Sequence, residues 1–285
     1  MTKLDQFEST FRAASKEVFV YEPVRINKTL VITDLAPGAA TSFVGDVRKF
    51  LSAIDHDDAE WIIADNETSA DLAALLNQIK SEKPDLIATY RHLYSQGWRW
   101  PVSLGEHLDV LTQATATPVL VLPHPEAEHA AAHSLTDTSQ VMAITDHLLG
   151  EASLINFALS FTALQGTCWL SHIEAEAQFE RYMTAISKLP EIDTETAREG
   201  LESQLMKEPH DYVKSCRAAI EAAEVPIKIE EIVTMGRRLV EYSRLIDEHE
   251  IDLLLMRTKD EDQLAMHGLA YPLAVELRKI PLLML

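Results

Sequence analysis

Short apolar runs alternate with helical stretches along most of the chain. "LVITD" (30–34) and "MAITD" (142–146) each end in an Asp, whereas "PDLIATY" (84–90) and "IDLLLMR" (251–257) each carry an Asp before the run. Continuous apolar runs of this length are typical of strands buried on both faces of a parallel sheet. The stretches between them, such as 43–54, have the apolar period of amphipathic helices. This alternation predicts an α/β fold with open, mainly parallel, Rossmann-like sheets flanked by helices.

The pattern occurs twice, which indicates an internal repeat. "VITDLAPGAAT" (31–41) and "AITDHLLGEAS" (143–153) both have Ile-Thr-Asp and then a Gly four positions after the Asp. Towards the end of each half, a helical pattern leads into a Pro-initiated apolar run, and a Gly stands 13 positions before that Pro. We therefore predict two tandem domains. Their expected ranges are 1–123 for the first, 124–139 for a polar, Pro-marked linker and 140–285 for the second.

The first predicted domain is reduced. Asp34 and Asp85 are 51 residues apart, whereas the corresponding Asp146 and Asp252 are 106 residues apart. The missing length corresponds to the second strand and the long helical region of the second half. "EVFVYE" (17–22) is a candidate for a replacement strand, since a parallel sheet needs its apolar faces covered.

Composition narrows the function classes. The chain has 285 residues, with 45 acidic against 25 basic side chains and a formal net charge of −20. Nucleic acid and anionic membrane surfaces are therefore not expected as partners of this acidic protein. Only two cysteines are present and the N-terminus has no signal-peptide core, so we expect a cytoplasmic protein.

One apolar stretch, 148–170, is long enough to suggest a membrane span. Glu151, Asn156, Gln165 and Gly166 interrupt it. A buried helix that leads into a strand explains the stretch better.

Four segments, in this order and spacing, resemble the universal stress protein family in its tandem, two-domain form. They are "VMAITDHLLGEAS" (141–153), "CWLSHIE" (168–174), "IDLLLMR" (251–257) and "HGLAYPLAVELRKIPLLML" (267–285). The resemblance covers the second half and, more thinly, residues 28–122. It implies an intrachain pseudo-dimer in which the last strands, "TPVLVLP" and "IPLLML", pair, and it leaves a further homodimer open. Such pairing would also cover an edge strand at the end of the sheet.

The resemblance also implies where a nucleotide would bind. In nucleotide-binding members, an Asp after the first strand lies near the adenosine and a G-x2-G-x9-G-[ST] loop wraps the phosphates. Asp34 and Asp146 match the first element. The glycines of the loop are largely missing; counted back from Gly105, their positions fall on His92 and Ser95. The candidate ligand-binding residues are Asp34, Asp146, His147, Gly150, Arg257 and Gly268. Structural interpretations stand beside most of them: a cap or turn for Asp34 and Asp146, a relaxed loop for Gly150 and an exposed loop histidine for His147. Gly105 and Gly268 are interpreted as close-packing residues at the start of the last helix of each half.

The loop "YRHLYSQGWRWP" (90–101) has four aromatic and three basic residues in an otherwise acidic protein. Tyrosine, tryptophan and arginine are common anchors of interfaces. The candidate partner-contact residues are Tyr90, Arg91, Tyr94, Trp98, Arg99 and Trp100. Two interpretations stay open: contact with an unknown protein partner or small ligand, and packing against the other half of the chain.

Three linker histidines, His124, His129 and His133, have spacings that a metal site could use, but scattered surface histidines are the preferred interpretation and no metal is predicted. His172 is interpreted as a satisfied core histidine. No Ser-His-Asp, Cys-His or paired-carboxylate pattern and no P-loop is found, so an enzyme is not expected.

The function expected from the sequence is a non-catalytic stress-response or regulatory protein that needs neither ATP nor another cofactor. Two alternatives remain. One is a weak ATP or AMP sensor that uses the second-domain crevice, and the other is an unrecognised hydrolase or transferase on the same scaffold.

Overall fold

The computed structural model describes residues 18–100, 102–127, 130–131, 133, 135–145, 148–258 and 270–285. The strands in these ranges are β1 (Lys28–Ile32), β2 (Glu60–Ala64), β3 (Leu86–Tyr90), β4 (Val119–Leu122), β5 (Gln140–Thr145), β6 (Thr167–Ala175), β7 (Lys228–Gly236), β8 (Leu253–Met256) and β9 (Leu282–Met284). The α-helices are α1 (Pro37–Phe50), α2 (Leu72–Glu82), α3 (Glu106–Ala114), α4 (Ala152–Phe161), α5 (Glu176–Ile186), α6 (Thr194–Ala222), α7 (Arg238–Glu248) and α8 (Ala270–Glu276).

The strands form one continuous sheet in the order β2-β1-β3-β4-β9-β8-β5-β6-β7. All neighbouring strands are parallel except β4 and β9, which pair in antiparallel fashion with Val121 opposite Leu282 and Val119 opposite Met284. The predicted α/β fold with a mainly parallel sheet is confirmed, and so is the predicted pairing of the two last strands. The seam between the two halves therefore lies at the β4–β9 pair.

The prediction for the reduced first half was wrong in two respects. Residues 18–22 form no strand, and Glu17 lies outside the described residues. The place beside β1 is taken by β2, whose Glu60 is opposite Lys28. The first half thus has a second strand; what it lacks is a counterpart of the edge strand β7 and of helices α5 and α6. β2 was missed because it is short, follows an acidic stretch and is only half-buried.

The repeated Asp before each inner strand fixes that strand to its neighbour. Asp85, before β3, accepts hydrogen bonds through Oδ2 from the backbone N–H groups of Asn27 (2.8 Å) and Lys28 (2.9 Å) at the start of β1. Asp252, before β8, does the same for Gln140 at the start of β5 (2.7 Å). The two carboxylates satisfy backbone donors at equivalent sites of the two halves.

The stretch 148–170 divides into α4 and the start of β6, as predicted. In the described part of the chain no helix is long and apolar enough to cross a membrane. Cys168 in β6 and Cys216 in α6 are buried free thiols.

Candidate functional site

Ligands of open α/β sheets bind at the carboxyl ends of the strands. Each half of this chain has such a place. The first crevice is defined by Asp34, which follows β1, and by Tyr90 and Tyr94 at and after the end of β3. The second crevice is defined by Gly150 and Glu151, before α4, and by Arg257, after β8.

Asp34 in the first crevice is bonded on both carboxylate oxygens within the chain. The hydroxyl of Tyr90 donates to Oδ1, and the backbone N–H of Tyr94 donates to Oδ2 at 2.7 Å. The Tyr90 hydroxyl lies 2.8 Å from Oγ1 of Thr33 and also accepts the backbone N–H of Asp34 at 3.2 Å. Burial, and then the hydrogen bond to Asp34, raise the pKa of Tyr90 above its usual value. At neutral pH this phenol therefore keeps its proton and donates a hydrogen bond to the carboxylate.

Tyr94 ties the loop after β3 back to the end of β1. The hydroxyl of Tyr94 lies 2.7 Å from Oγ of Ser69. The hydroxyl of Ser69 in turn donates to the carbonyl of Thr33 at 2.9 Å. The ring of Tyr94 packs against the imidazole of His107, with 5.3 Å between centroids. The polar groups that surround Asp34 therefore bond mainly to one another.

The loop after β3 has positive φ angles, as a glycine-rich loop would, although other residues stand at the glycine positions. His92, at one of the glycine positions, has φ 60°, and Tyr94 has φ 62°, a conformation that costs a non-glycine residue about 1 kcal/mol. Gly105 has φ 93°, and a Cβ there would lie 2.7 Å from the Cα of His92. The close-packing interpretation of Gly105 is therefore confirmed.

The buried residues of loop 90–101 pack against the rest of the chain, which is the second of the two interpretations given for this loop. Arg91 is buried and donates through Nη2 to the carbonyls of Ala274 (2.7 Å) and Leu277 (3.1 Å) at the end of α8 in the second half. Carbonyls at a helix C-terminus carry partial negative charge and suit a guanidinium. Desolvation, with a smaller effect of Arg278, lowers the pKa of Arg91 to about 9. Tyr90 and Arg91 are thus not exposed to a partner.

The indole of Trp98 is also packed within the chain. The indole stacks on the imidazole of His124 with 4.5 Å between centroids. The backbone carbonyl of Trp98 accepts a hydrogen bond from Nη1 of Arg278 at 3.2 Å. The guanidinium of Arg99 lies over the same indole at 5.2 Å. Trp100, by contrast, is 58% exposed and remains the aromatic residue of this loop most open to a partner.

The two linker histidines that the structure describes, His124 and His133, have different partners. His124 lies against Trp98, whereas Nε2 of His133 lies 3.1 Å from the carbonyl of Ile251. His129 lies outside the described residues. The described ranges contain no group of three His, Cys, Asp or Glu residues placed to hold a metal ion.

The second crevice contains an ion pair. Nε of Arg257 donates to Oε2 of Glu151 at 2.8 Å, which links the end of β8 to the start of α4. Gly150, just before it, is exposed and has φ 85°, which explains a glycine there. Three further candidate residues, Asp146, His147 and Gly268, lie outside the described residues.

Sequence reasoning missed Glu174 beside this crevice. His172 and Glu174 point to the same face at the carboxyl end of β6, both are buried, and their Nε2 and Oε2 atoms are 3.5 Å apart. The core-histidine interpretation of His172 agrees with its burial. The signal was the acid two positions after a histidine in "SHIE", because alternate residues of a strand share a face.

No protein-family model and no curated protein matches this chain. Solved structures do share its fold. A universal stress protein from Archaeoglobus fulgidus DSM 4304 is similar with a TM-score of 0.52 and 11% identity, covering 91% of this chain and 96% of that one. A putative universal stress protein from Pseudomonas aeruginosa UCBPP-PA14 is similar with a TM-score of 0.51 and 12% identity, covering 91% and 93%. At these identities the likeness establishes the fold.

Proposed function

We propose that this chain is a tandem protein of the universal stress protein type, and that it acts as a regulatory binding protein that neither catalyses a reaction nor requires ATP. The likeness of fold supports the type of protein. The bonding of Asp34 to Tyr90 and Tyr94 is the observation that supports independence from ATP. Asp34 stands where the family resemblance places the residue near adenosine.

A nucleoside hydroxyl can bond to Asp34 only by displacing a hydrogen bond that the fold already makes. Tyr90 is fully buried, so its hydroxyl would be left without its carboxylate acceptor at a cost of about 1–3 kcal/mol. In the second crevice, a phosphate would have to replace Glu151 at the guanidinium of Arg257. Both crevices thus oppose nucleotide binding with bonds of their own.

The proposal includes an arrangement of the chain. Domains at 1–123 and 140–285, joined by the linker 124–139, form an intrachain pseudo-dimer along the β4–β9 pair. Two buried free thiols are in keeping with a reducing cytoplasm. The ligand of such a protein is a protein partner or a small molecule other than a nucleotide.

One observation favours a second candidate, a weak ATP or AMP sensor that uses the second crevice. The side chain of Arg257 is 34% exposed, so its guanidinium is within reach of solvent and can exchange Glu151 for a phosphate. This half also has the larger set of strands and helices.

The test is to purify the chain without nucleotide, denature it and identify released small molecules by mass spectrometry. ATP and AMP are then titrated by calorimetry into the unaltered chain and into Asp34→Ala and Asp146→Ala. We expect no stoichiometric nucleotide and no heat of binding. Binding that Asp146→Ala removes and Asp34→Ala leaves intact would replace the first proposal by the sensor, and binding lost in both would contradict the closed first crevice as well.

A further inference from the structure

Residues 18–26, which we call the strap, lie on the second half of the molecule although they precede the first strand of the first half. The strap forms no strand or helix. It passes from α6 to α4 before the chain enters β1. Its backbone makes hydrogen bonds with side chains of these helices, and its side chains Phe19, Tyr21, Val24 and Ile26 belong to or pack against the hydrophobic core.

Asn156 of α4 binds the strap backbone with both ends of its amide. Its Oδ1 accepts the N–H of Glu22 at 3.0 Å, and its Nδ2 donates to the carbonyl of Val20 at 3.3 Å. A side-chain amide that pairs with the carbonyl of one residue and the N–H of the second residue after it bonds the backbone as a neighbouring strand would. Such pairing recognises an extended backbone whatever its side chains.

Two serines continue this recognition. One helical turn after Asn156, Oγ of Ser160 accepts the N–H of Val24 at 2.8 Å. On α6, Oγ of Ser215 accepts the N–H of Phe19 at 3.3 Å. Polar side chains from two helices therefore follow the strap from one end to the other.

The placement of Asn156 would be unfavourable without the strap. It is only 6% exposed and lies in the most apolar stretch of the chain, where an amide without partners costs several kcal/mol. The hydrogen bonds described for its side chain go to the strap. The strap thus explains a residue that interrupts the apolar pattern of α4.

Two side chains of the strap are buried, Phe19 near its start and Ile26 at its end, and Phe19 is the one that packs beside Ser215 on α6. Phe19 is 3% exposed, and its ring meets that of Tyr212 edge to face with 6.4 Å between centroids. Its neighbours Val18 and Val20 are 66% and 62% exposed. The binding surface therefore selects an aromatic residue at one position and tolerates variation beside it.

We propose that the strap groove, formed by Asn156, Ser160, Tyr212 and Ser215, is a peptide-binding site whose resident occupant is the strap. Its external ligand is an extended peptide segment of another chain. That segment offers an aromatic side chain, a carbonyl on the next residue, and N–H groups three and five positions after the aromatic residue, as the strap does. The inference is independent of both crevices and of nucleotide.

The strap competes with that ligand from within the same chain. A tethered segment has an effective concentration of the order of millimolar. The intact chain therefore binds an external peptide weakly, and release of the strap strengthens binding without any change in the groove.

The test uses a fluorescent synthetic peptide with the sequence of residues 18–26, "VFVYEPVRI", titrated into the full chain and followed by fluorescence anisotropy. In the chain, Phe19→Ser removes the anchor of the strap. We expect this variant to bind the peptide at least about tenfold more tightly than the unaltered chain. Val20→Ser is the matched control, since that side chain is exposed, and it should bind as the unaltered chain does.

A second set of variants tests the groove itself. Added to Phe19→Ser, Ser160→Ala and Ser215→Ala should each weaken peptide binding severalfold, and Asn156→Ala should remove most of it. Circular dichroism of each variant shows whether the fold is kept, and the two serine variants carry the test if Asn156→Ala does not fold. Equal binding to the unaltered chain and to Phe19→Ser, or binding that folded groove variants leave unchanged, would overturn the proposal.

Discussion

Tyr90 shows how a buried hydroxyl in this fold obtains a carboxylate partner. Its hydroxyl is carried into a fully buried position by the end of β3, and a buried hydroxyl needs a partner. Asp34 provides that partner because the carboxyl ends of β1 and β3 are neighbours in the sheet. The carboxylate of Asp34 is thus part of the internal hydrogen bonding of the first half.

Removing this hydroxyl has a predictable cost. In Tyr90→Phe, Oδ1 of Asp34 and the backbone N–H of Asp34 both lose a partner. We expect the free energy of unfolding, measured by urea denaturation, to fall by about 1–3 kcal/mol. Tyr94→Phe is the control: its hydroxyl is more exposed, so the loss should be smaller, and an equal loss in the two variants would contradict the role given to Tyr90.

At the scale of elements, the paired inner strands of the two halves are held in the same way. Asp85 clamps β3 to β1, and Asp252 clamps β8 to β5. The environments differ, because Asp252 is buried and Asp85 is exposed. Burial raises the pKa of Asp252, which the backbone hydrogen bond from Gln140 only partly offsets.

This difference predicts unequal effects of equivalent substitutions. Asp252→Ala leaves the half-buried N–H of Gln140 without its side-chain acceptor, and should lower the free energy of unfolding by about 2–3 kcal/mol. In Asp85→Ala, water can replace the carboxylate, so the loss should be about 1 kcal/mol or less. Denaturant melts of the two variants side by side make the comparison, and a larger loss for Asp85→Ala would refute it.

Part of this organisation could be predicted from the sequence. The long apolar runs and the repeated Gly-to-Pro spacing predicted the inner strands, because continuous burial leaves a strong local pattern. The pairing of β4 with β9 was implied by the resemblance to a family and not by any local pattern. β2 was missed, since a half-buried edge strand leaves a weak one. The bond between Asp34 and Tyr90 joins residues 56 positions apart and depends on strand order, which no local pattern contains.

At the scale of the whole molecule, one sheet and one hydrophobic core extend through both halves. Arg91 adds a polar contact from the first half to the end of α8 in the second. The strap adds a second connection, because it precedes β1 of the first half and bonds to α4 and α6 of the second. The halves are thus joined by backbone, apolar and polar contacts at once.

Such joining predicts that the halves unfold together. Trp169 is the tryptophan of the second half, and the other three tryptophans are in the first, so replacing one set or the other by Phe gives a reporter for each half. We expect the two fluorescence midpoints in urea to coincide. Leu283→Asp, which buries a charge at the β4–β9 seam, should lower stability by several kcal/mol and separate the midpoints. If the two fluorescence midpoints differ while Leu283 is unchanged, the halves are not a single cooperative unit.

The antiparallel seam also sets directions. Because β4 and β9 run in opposite senses while every other neighbouring pair is parallel, the strands of the two halves point to opposite rims of the sheet. The first and second crevices therefore open at opposite rims of the sheet, and β4 and β9 lie between the strands that carry them. Two molecules bound there would face away from each other, and anything that senses one crevice from the other must do so through the shared sheet.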